Sequence, residues 1–218
     1  MAMHDELPFR IIFAGIYVAG FLMRGLFVQR LKPQGEPIMP ETGDPGEISR
    51  FRVVFQKVMF FLWIAIVASY TWYPPWVEAL HFTFPIWFRY GGVIAGAVSF
   101  LFLFLTMKAL GRYWSPLPRM MEGHKLVTSG PYRFIRHPMY TGMMVLFMAF
   151  ILITANAAVM LFSLIAIVLT VKWALKEEKM LIGFFGDEYR AYVKRTGAFL
   201  PAPGKMVRQI FFNRNDQP

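Results

Sequence analysis

The chain has 218 residues, 56% hydrophobic and only 17% charged, whereas a soluble domain carries about 25% charge, so it reads as an integral membrane protein. Its net charge of +10 belongs in cytoplasmic loops; the basic residues flank apolar spans and form no separate basic domain, which argues against a nucleic-acid partner. Cysteine is absent, excluding disulfides, thiolate metal sites, iron–sulfur clusters and cysteine nucleophiles.

A helix needs about 20 apolar residues to cross about 30 Å of hydrocarbon. The N-terminal MAMHDELPFR lacks a basic n-region and no small-residue cleavage site follows, so the first apolar run is expected to be a retained helix rather than a signal peptide. That helix is predicted over about Phe9–Val28, with Arg24 placed to snorkel. Residues 31–50, LKPQGEPIMPETGDPGEISR, are rich in Pro, Gly and Glu and read as an irregular exposed loop. A second span is expected over about Val53–Tyr73. The link that follows carries Trp72, Tyr73, Trp76 and His81 without Lys or Arg, as suits an interfacial aromatic belt. The third span is predicted over about Ile86–Met107.

Next comes the stretch 124–142, HKLVTSGPYRFIRHPMYTG, dense in turn-formers and polar groups. Gly130-Pro131 and His137-Pro138 force extended or turn backbone before each proline. Backbone groups left free in this way are tolerated only at the surface or in a cavity. Two apolar runs follow, about Met139–Ile153 and Ala157–Leu175, separated only by Thr154-Ala155-Asn156. They read as a tight helical hairpin whose first arm, about 22 Å long at 1.5 Å per residue, has to tilt or start below the surface. Beyond Lys176 the chain turns amphipathic and basic.

The fold class is therefore all-α and membrane-integral, with about five transmembrane helices, the last two a hairpin. Residues 1–108 are expected to hold three spans, 109–201 a core unit, and 202–218 a polar basic tail. Basic residues crowd 29–57, 108–138 and the segment after 175, and avoid 71–85. Five spans with the N-terminus outside put all three basic regions on the cytoplasmic face. No paired interrupted helices of the two-fold transporter kind are present.

A hairpin returns its two ends to one membrane face, so 124–142 and 176–192 must be neighbours. Gly130, Pro131, Arg136, His137, Tyr140 and Gly142 can then face Glu177, Glu178, Phe185, Gly186 and Tyr189. Taken singly, Arg136 and His137 could be anchors for lipid phosphates, and Glu177-Glu178 a solvated helix end or part of a salt-bridge cluster. Their shared location is what points to a site.

Four motifs in order carry a resemblance: Leu126-Val127-x-x-Gly130-x-Tyr132, Arg136-His137-Pro138-x-Tyr140-x-Gly142, Glu177-Glu178, and Phe185-Gly186-x-x-Tyr189-x-x-Tyr192. Over about Leu110–Pro201 the chain resembles the isoprenylcysteine carboxyl methyltransferase family and, more loosely, membrane phospholipid methyltransferases. The resemblance implies S-adenosylmethionine as methyl donor, enclosed between the segments before and after the hairpin. Carried over residue by residue, Lys125, Leu126, Val127, Gly130, Tyr132, His137, Pro138, Tyr140, Gly142, Glu177, Glu178 and Tyr189 would form the donor pocket. Arg136 and Glu178 would be the catalytic pair. No Gly-x-Gly-x-x-Gly turn follows a strand, which agrees with a donor site outside the soluble dinucleotide-binding arrangement.

The implied reaction suits these residue types. Methyl transfer from a sulfonium needs no acyl intermediate, and a carboxylate acceptor is already ionised at neutral pH. Holding donor and acceptor about 3–3.5 Å apart and aligned is then the main task. Arg136 is expected to orient an acceptor carboxylate with its planar fork; an amine acceptor would instead need His137 or a glutamate as base. The expected function is methylation of a lipophilic acceptor, foremost the carboxylate of an isoprenylcysteine-like molecule. A lipid-amine N-methyltransferase and an NADPH-dependent sterol-type reductase are the alternatives. The expected partners are the lipid bilayer and the lipophilic acceptor, with no metal and no nucleic acid; oligomeric state is left open. Met143, Met144, Phe147 and Met148 could line a lateral approach for the acceptor, or simply pack helices and face lipid. One departure from the family is Trp173, where members often carry arginine.

Overall fold

The structure, a computed structural model, describes residues 3–30, 37–39, 48–114, 120–121 and 123–202. Five long apolar helices dominate: α1 (Met3–Arg30), α2 (Ile48–Trp72), α4 (Ile86–Leu110), α5 (Pro138–Thr154) and α6 (Ala157–Phe185). Short helices α3 (Pro75–Glu78) and α7 (Asp187–Arg195) follow α2 and α6. A small antiparallel ribbon joins β1 (Pro37–Met39) to β2 (Met120–Met121). The expected loop 31–50 is thus tied by its middle to the segment after α4; its remainder up to Ile48, like residues 203–218 of the expected tail, lies outside the described residues.

Among the described residues, three helices are long and apolar enough to span a bilayer, over Glu6–Phe27, Ile86–Tyr113 and Ala157–Phe185; Lys57–Trp72 and Pro138–Thr154 are shorter apolar helices. The hairpin forms where expected. Ala155 takes the left-handed conformation (φ 45°), and the Asn156 side chain caps α6 by accepting from the Ala158 and Val159 amides. Its amide also donates to the Val77 carbonyl at 3.0 Å, fixing α3 under the turn. The second arm differs from expectation. It continues from Leu175 to Phe185, because Lys, Glu, Leu and Ile sustain a helix and no left-handed glycine intervenes before Gly186 (φ 55°). At 29 residues α6 is about 43 Å long, exceeding the hydrocarbon thickness, so its last turns carry Glu177 and Glu178 out of the apolar layer on a rigid rod.

Helix α5 is held against α4 by small residues. A Cβ on Gly92 would lie 2.7 Å from the Leu152 Cβ, and one on Gly142 would lie 2.7 Å from Leu103 Cδ2. Ser99 Oγ donates to the Gly142 carbonyl at 2.6 Å across the same seam. Backbones can approach this closely only without side chains between them, the usual device of membrane helix packing. Phe9, Phe13, Trp63, Tyr70 and Phe150 pack at the centre of α1, α2 and α5.

At the end of the bundle near the hairpin turn lies a buried ionic cluster that no local sequence pattern marks. Glu6 and Arg89 are 2% and 1% exposed. Arg89 Nη2 meets Glu6 Oε2 at 2.7 Å, and Arg89 also donates through Nε and Nη2 to the Ile153 carbonyl at 3.0 and 2.8 Å. His81 Nε2 lies 3.2 Å from Glu6, and the Tyr70 hydroxyl donates to the Thr154 carbonyl at 3.2 Å. This cluster ties α1, α2, α4 and α5 together at the end opposite the polar segments 124–142 and 176–192.

Candidate active site

The segment before α5 and the end of α6 meet as the hairpin geometry requires. Glu178 receives both Arg136 and His137: Arg136 Nη2 to Oε1 at 3.1 Å and His137 Nε2 to Oε2 at 3.2 Å. His137 is 4% exposed. The carboxylate thus bridges the two adjacent residues on either side of which the backbone turns into α5.

Arg136 reaches further. Its Nη1 donates to the Thr196 carbonyl at 2.7 Å and to the Val193 carbonyl at 3.4 Å. These carbonyls lie at the C-terminal end of α7, so a cation there also complements the helix dipole. Beyond α7 the chain lies alongside 134–137 like a short parallel strand. The Gly197 amide donates to the Phe134 carbonyl at 3.3 Å, the Arg136 amide to Gly197 at 2.8 Å, and the His137 amide to Ala198 at 3.0 Å. Thr141 Oγ1 donates to the Phe199 carbonyl at 2.7 Å, and the Phe199 ring lies 5.8 Å from the His137 ring. This strap, residues 196–200, was invisible in the sequence. Its one local clue is Gly197, where a Cβ would fall 1.7 Å from the Leu200 carbonyl oxygen.

Around the clamp stand buried tyrosines. Tyr192 donates to the Tyr132 carbonyl at 2.6 Å. Burial raises the hydroxyl pKa of Tyr132, Tyr189 and Tyr192 above the ordinary tyrosine value, with nearby Glu177 (for Tyr132) and Glu178 (for Tyr189) adding to it. They therefore stay protonated, as neutral donors. Glu177 is hydrogen-bonded to the Tyr140 hydroxyl. Farther out, His124 stacks on Tyr113 (ring centroids 4.7 Å apart) and abuts Phe185 at the end of α6. Burial lowers its pKa, favouring the neutral imidazole.

Of the expected site residues, Arg136, His137, Glu178, Glu177, Tyr140, Tyr132 and Tyr189 converge. Pro138 is buried as the first residue of α5, and Gly130 (φ 59°) opens the turn Gly130–Arg133. Lys125, Leu126 and Val127 follow His124 outside any helix or strand. Gly142 stands apart: it faces Leu103 and Phe102 of α4 and serves helix packing. Sequence reasoning had Tyr192 in a motif without placing it in the site, and missed Thr141 and the whole strap.

The residues present offer polar groups of the kind S-adenosylmethionine would engage. Buried Tyr189 Oη, Arg136 Nε and His124 Nδ1 have no protein hydrogen-bond partner, and buried polar groups left so are costly unless something else satisfies them. Among the described residues, no group of three His, Asp or Glu could hold a metal ion.

Comparison with known proteins agrees with the motif resemblance. Residues 93–183 match the model of the isoprenylcysteine carboxyl methyltransferase family. Over 70 residues the chain is 39% identical to methanethiol S-methyltransferase 1 of Bradyrhizobium diazoefficiens, covering 32% of this chain and 24% of that one. Over 81 residues it is 34% identical to the protein-S-isoprenylcysteine O-methyltransferase of Schizosaccharomyces pombe, covering 37% and 34%. Over 168 residues it is 29% identical to the methanethiol S-methyltransferase of Pseudomonas deceptionensis, covering 76% and 62%. The chain thus spans a quarter to a third of the first two of these relatives. A solved structure of the eukaryotic intramembrane Ras methyltransferase aligns with a TM-score of 0.53 at 20% identity, over 87% of this chain and 67% of that one, and shows a shared fold. With three candidate spans among the described residues, the chain is a multi-pass integral membrane protein.

Proposed function

Proceeding from the family match over residues 93–183, we propose that the chain is an S-adenosylmethionine-dependent membrane methyltransferase acting on a lipophilic acceptor. The single observation that carries this reading is the clamp of Arg136, His137 and Glu178, sealed by the strap 196–200. It supplies a charged, half-enclosed site at the end of a membrane helix, with unpartnered donors beside it.

When bound, the donor supplies a sulfonium methyl group open to in-line attack. Glu178 meets the donor's ammonium or ribose hydroxyls by charge-assisted bonds. Tyr189, with an unpaired buried hydroxyl, donates to its polar groups, and the irregular backbone at Lys125–Val127 lines one side. Gly130, Tyr132 and Pro138 shape the turn on which these stand. Arg136 holds Glu178 and the strap in register, so that donor and acceptor are kept aligned. All five apolar helices cross the bilayer, the N-terminus lies outside, and the clamp opens on the cytoplasmic face, where the basic loops collect.

The relatives divide on the acceptor: some are named for O-methylation of isoprenylcysteine, others for S-methylation of methanethiol. The prenylcysteine-like carboxylate is the first reading and a thiol the second; the apolar side chain of Trp173 beside the site favours the second. Lipid-amine N-methylation remains a distinct outcome of the assay. Purified protein should be stabilised against heat by S-adenosylhomocysteine, by RT ln(1 + [L]/Kd). It should also transfer label from the donor to an acceptor extracted from native membranes. No stabilisation at saturating ligand, or stabilisation by NADPH instead, would sink the proposal.

A further inference from the structure

Helix α7 buries two tyrosines on one face, Tyr189 and Tyr192, three residues apart and 1% and 3% exposed. Their rings lie 5.7 Å apart between centroids, inclined at 65°. Their hydroxyls are in opposite states. Tyr192 Oη donates to the Tyr132 carbonyl at 2.6 Å and lies 3.4 Å from that of Ile135, so it is pinned to the segment that leads into α5. Tyr189 Oη, also buried, makes no hydrogen bond within the protein. No bond of its own therefore fixes the Tyr189 hydroxyl; α7 carries it, and Tyr192 anchors α7.

The Tyr189 hydroxyl stands close enough to Glu178 and Arg136 to feel both charges. Burial above all, with the Glu178 charge, keeps it protonated, while Arg136 acts the other way. Arg136 uses Nη1 on α7 carbonyls and Nη2 on Glu178, but its buried Nε has no acceptor in the protein. A guanidinium nitrogen can only donate, and a protonated phenol has one hydrogen to give. Two unpaired donors beside a cation suit an anionic acceptor, since charge-assisted bonds are the strong ones.

From this geometry, and resting on the methyltransferase reading above, we infer that the Tyr189 hydroxyl and Arg136 Nε receive the carboxylate at the amino-acid end of the methyl donor, and that Tyr192 is the positioning residue that holds Tyr189 there. Charge selects that group. The amino-acid end of S-adenosylmethionine is a zwitterion whose ammonium and carboxylate leave one carbon, so their partners must be neighbours of opposite sign. Glu178 and Arg136, 3.1 Å apart, are such a pair. Ribose and adenine are neutral and gain less from a cation. Reach assigns the role of Tyr192. Its bond to the Tyr132 carbonyl joins the turn Gly130–Arg133 to α7, the two sides of the donor pocket. Tyr189 lies about 4.5 Å back along the same helix, so a slip of α7 against that turn displaces its hydroxyl by a like amount. A slip of about 1 Å carries a bond of ordinary length out of range.

The test uses full-length protein in lipid nanodiscs and two ligands: S-adenosylhomocysteine, which keeps the same amino-acid end, and its decarboxylated analogue, which lacks only the carboxylate. In calorimetric titration wild type should bind the analogue more weakly by about 10-fold or more, the loss expected of hydrogen bonds to a charged group. That comparison needs no variant. Tyr189→Phe should weaken S-adenosylhomocysteine by about 10-fold and change the analogue's affinity by less than about 2-fold. Tyr192→Phe, which keeps the ring, should weaken S-adenosylhomocysteine by about 5-fold and likewise spare the analogue; a residue that merely supports the fold would weaken both ligands alike. The double variant should bind no more weakly than Tyr189→Phe alone, because Tyr192 acts through Tyr189.

Equal affinity of wild type for the two ligands would overturn this inference and leave the methyltransferase proposal standing. So would a Tyr189→Phe or Tyr192→Phe protein that loses both ligands equally, or that binds S-adenosylhomocysteine as wild type does. Losses that multiply in the double variant would refute the link from Tyr192 to Tyr189. Failure of S-adenosylhomocysteine to bind the wild-type protein refutes the parent proposal instead.

Discussion

Replacing Arg136 by alanine should release the strap and open the donor site without unfolding the membrane bundle. The guanidinium connects three elements: Glu178 on α6, the terminal carbonyls of α7, and through its own backbone the Gly197 carbonyl. Its side chain is 11% exposed and that of Glu178 17%, so screening by water is slight. Removing one partner of such a buried pair costs about 3–5 kcal/mol. The Gly197 and Ala198 backbone bonds to 136 and 137 survive the change, and each contributes only about 0.5–1.5 kcal/mol, too little to offset that loss. The strap should therefore pass from docked to largely undocked. Amide hydrogen exchange over 193–200 should accelerate by at least 100-fold, since each 1.4 kcal/mol is a tenfold change. Stabilisation by S-adenosylhomocysteine should fall in parallel, while exchange in α4 and the hairpin turn stays at wild-type values. Arg136→Lys, keeping the charge but losing the fork, should fall between. Wild-type protection of 193–200 in Arg136→Ala would refute the reasoning, because it would mean the backbone bonds alone hold the strap.

Three further outcomes are expected. Arg89→Ala should lower the stability of the whole bundle by about 3–5 kcal/mol, by stranding Glu6 in a buried site, with donor-analogue affinity unchanged; thermal unfolding in detergent and ligand titration separate the two. Gly197→Ala should do the reverse, cutting donor affinity by at least 10-fold while the melting temperature of the ligand-free bundle changes little, since its Cβ collides with the Leu200 carbonyl within the strap alone. Finally, His124 has its folded pKa lowered by burial, so protonation favours the unfolded chain. The contribution of His124 to stability is complete above its unfolded value of about 6.5 and is lost as pH falls through the folded one. Melting temperature should decline below pH ~6.5 in wild type, and His124→Gln should flatten that decline; identical pH profiles would dismiss the assignment.

Local pattern carried much of this protein's architecture. The apolar run lengths, the Asn156 cap and the two X-Pro steps are properties of neighbouring residues, and they were enough to place five helices, the hairpin and the meeting of 124–142 with α6. The motif around Arg136 and Glu178 brought the clamp within reach for the same reason, because a hairpin leaves its two ends no other arrangement. The end of α6 was misread at Leu175, since a drop in hydropathy marks where a helix leaves lipid, not where its hydrogen bonds stop.

Partner choice was set elsewhere. Gly142 sits in the most motif-like stretch of the chain, yet its neighbours are Leu103 and Phe102 of α4. Glu6 and Arg89, 83 residues apart, find each other in the bundle's interior, and Arg136 donates through Nη1 to a strap carbonyl 60 residues away. Periodicity along a chain determines which face of a helix is apolar and where it turns. Which side chain meets which depends on the angle and height at which helices cross, and that is fixed only when close contacts such as those at Gly92 and Gly142 have all been made at once.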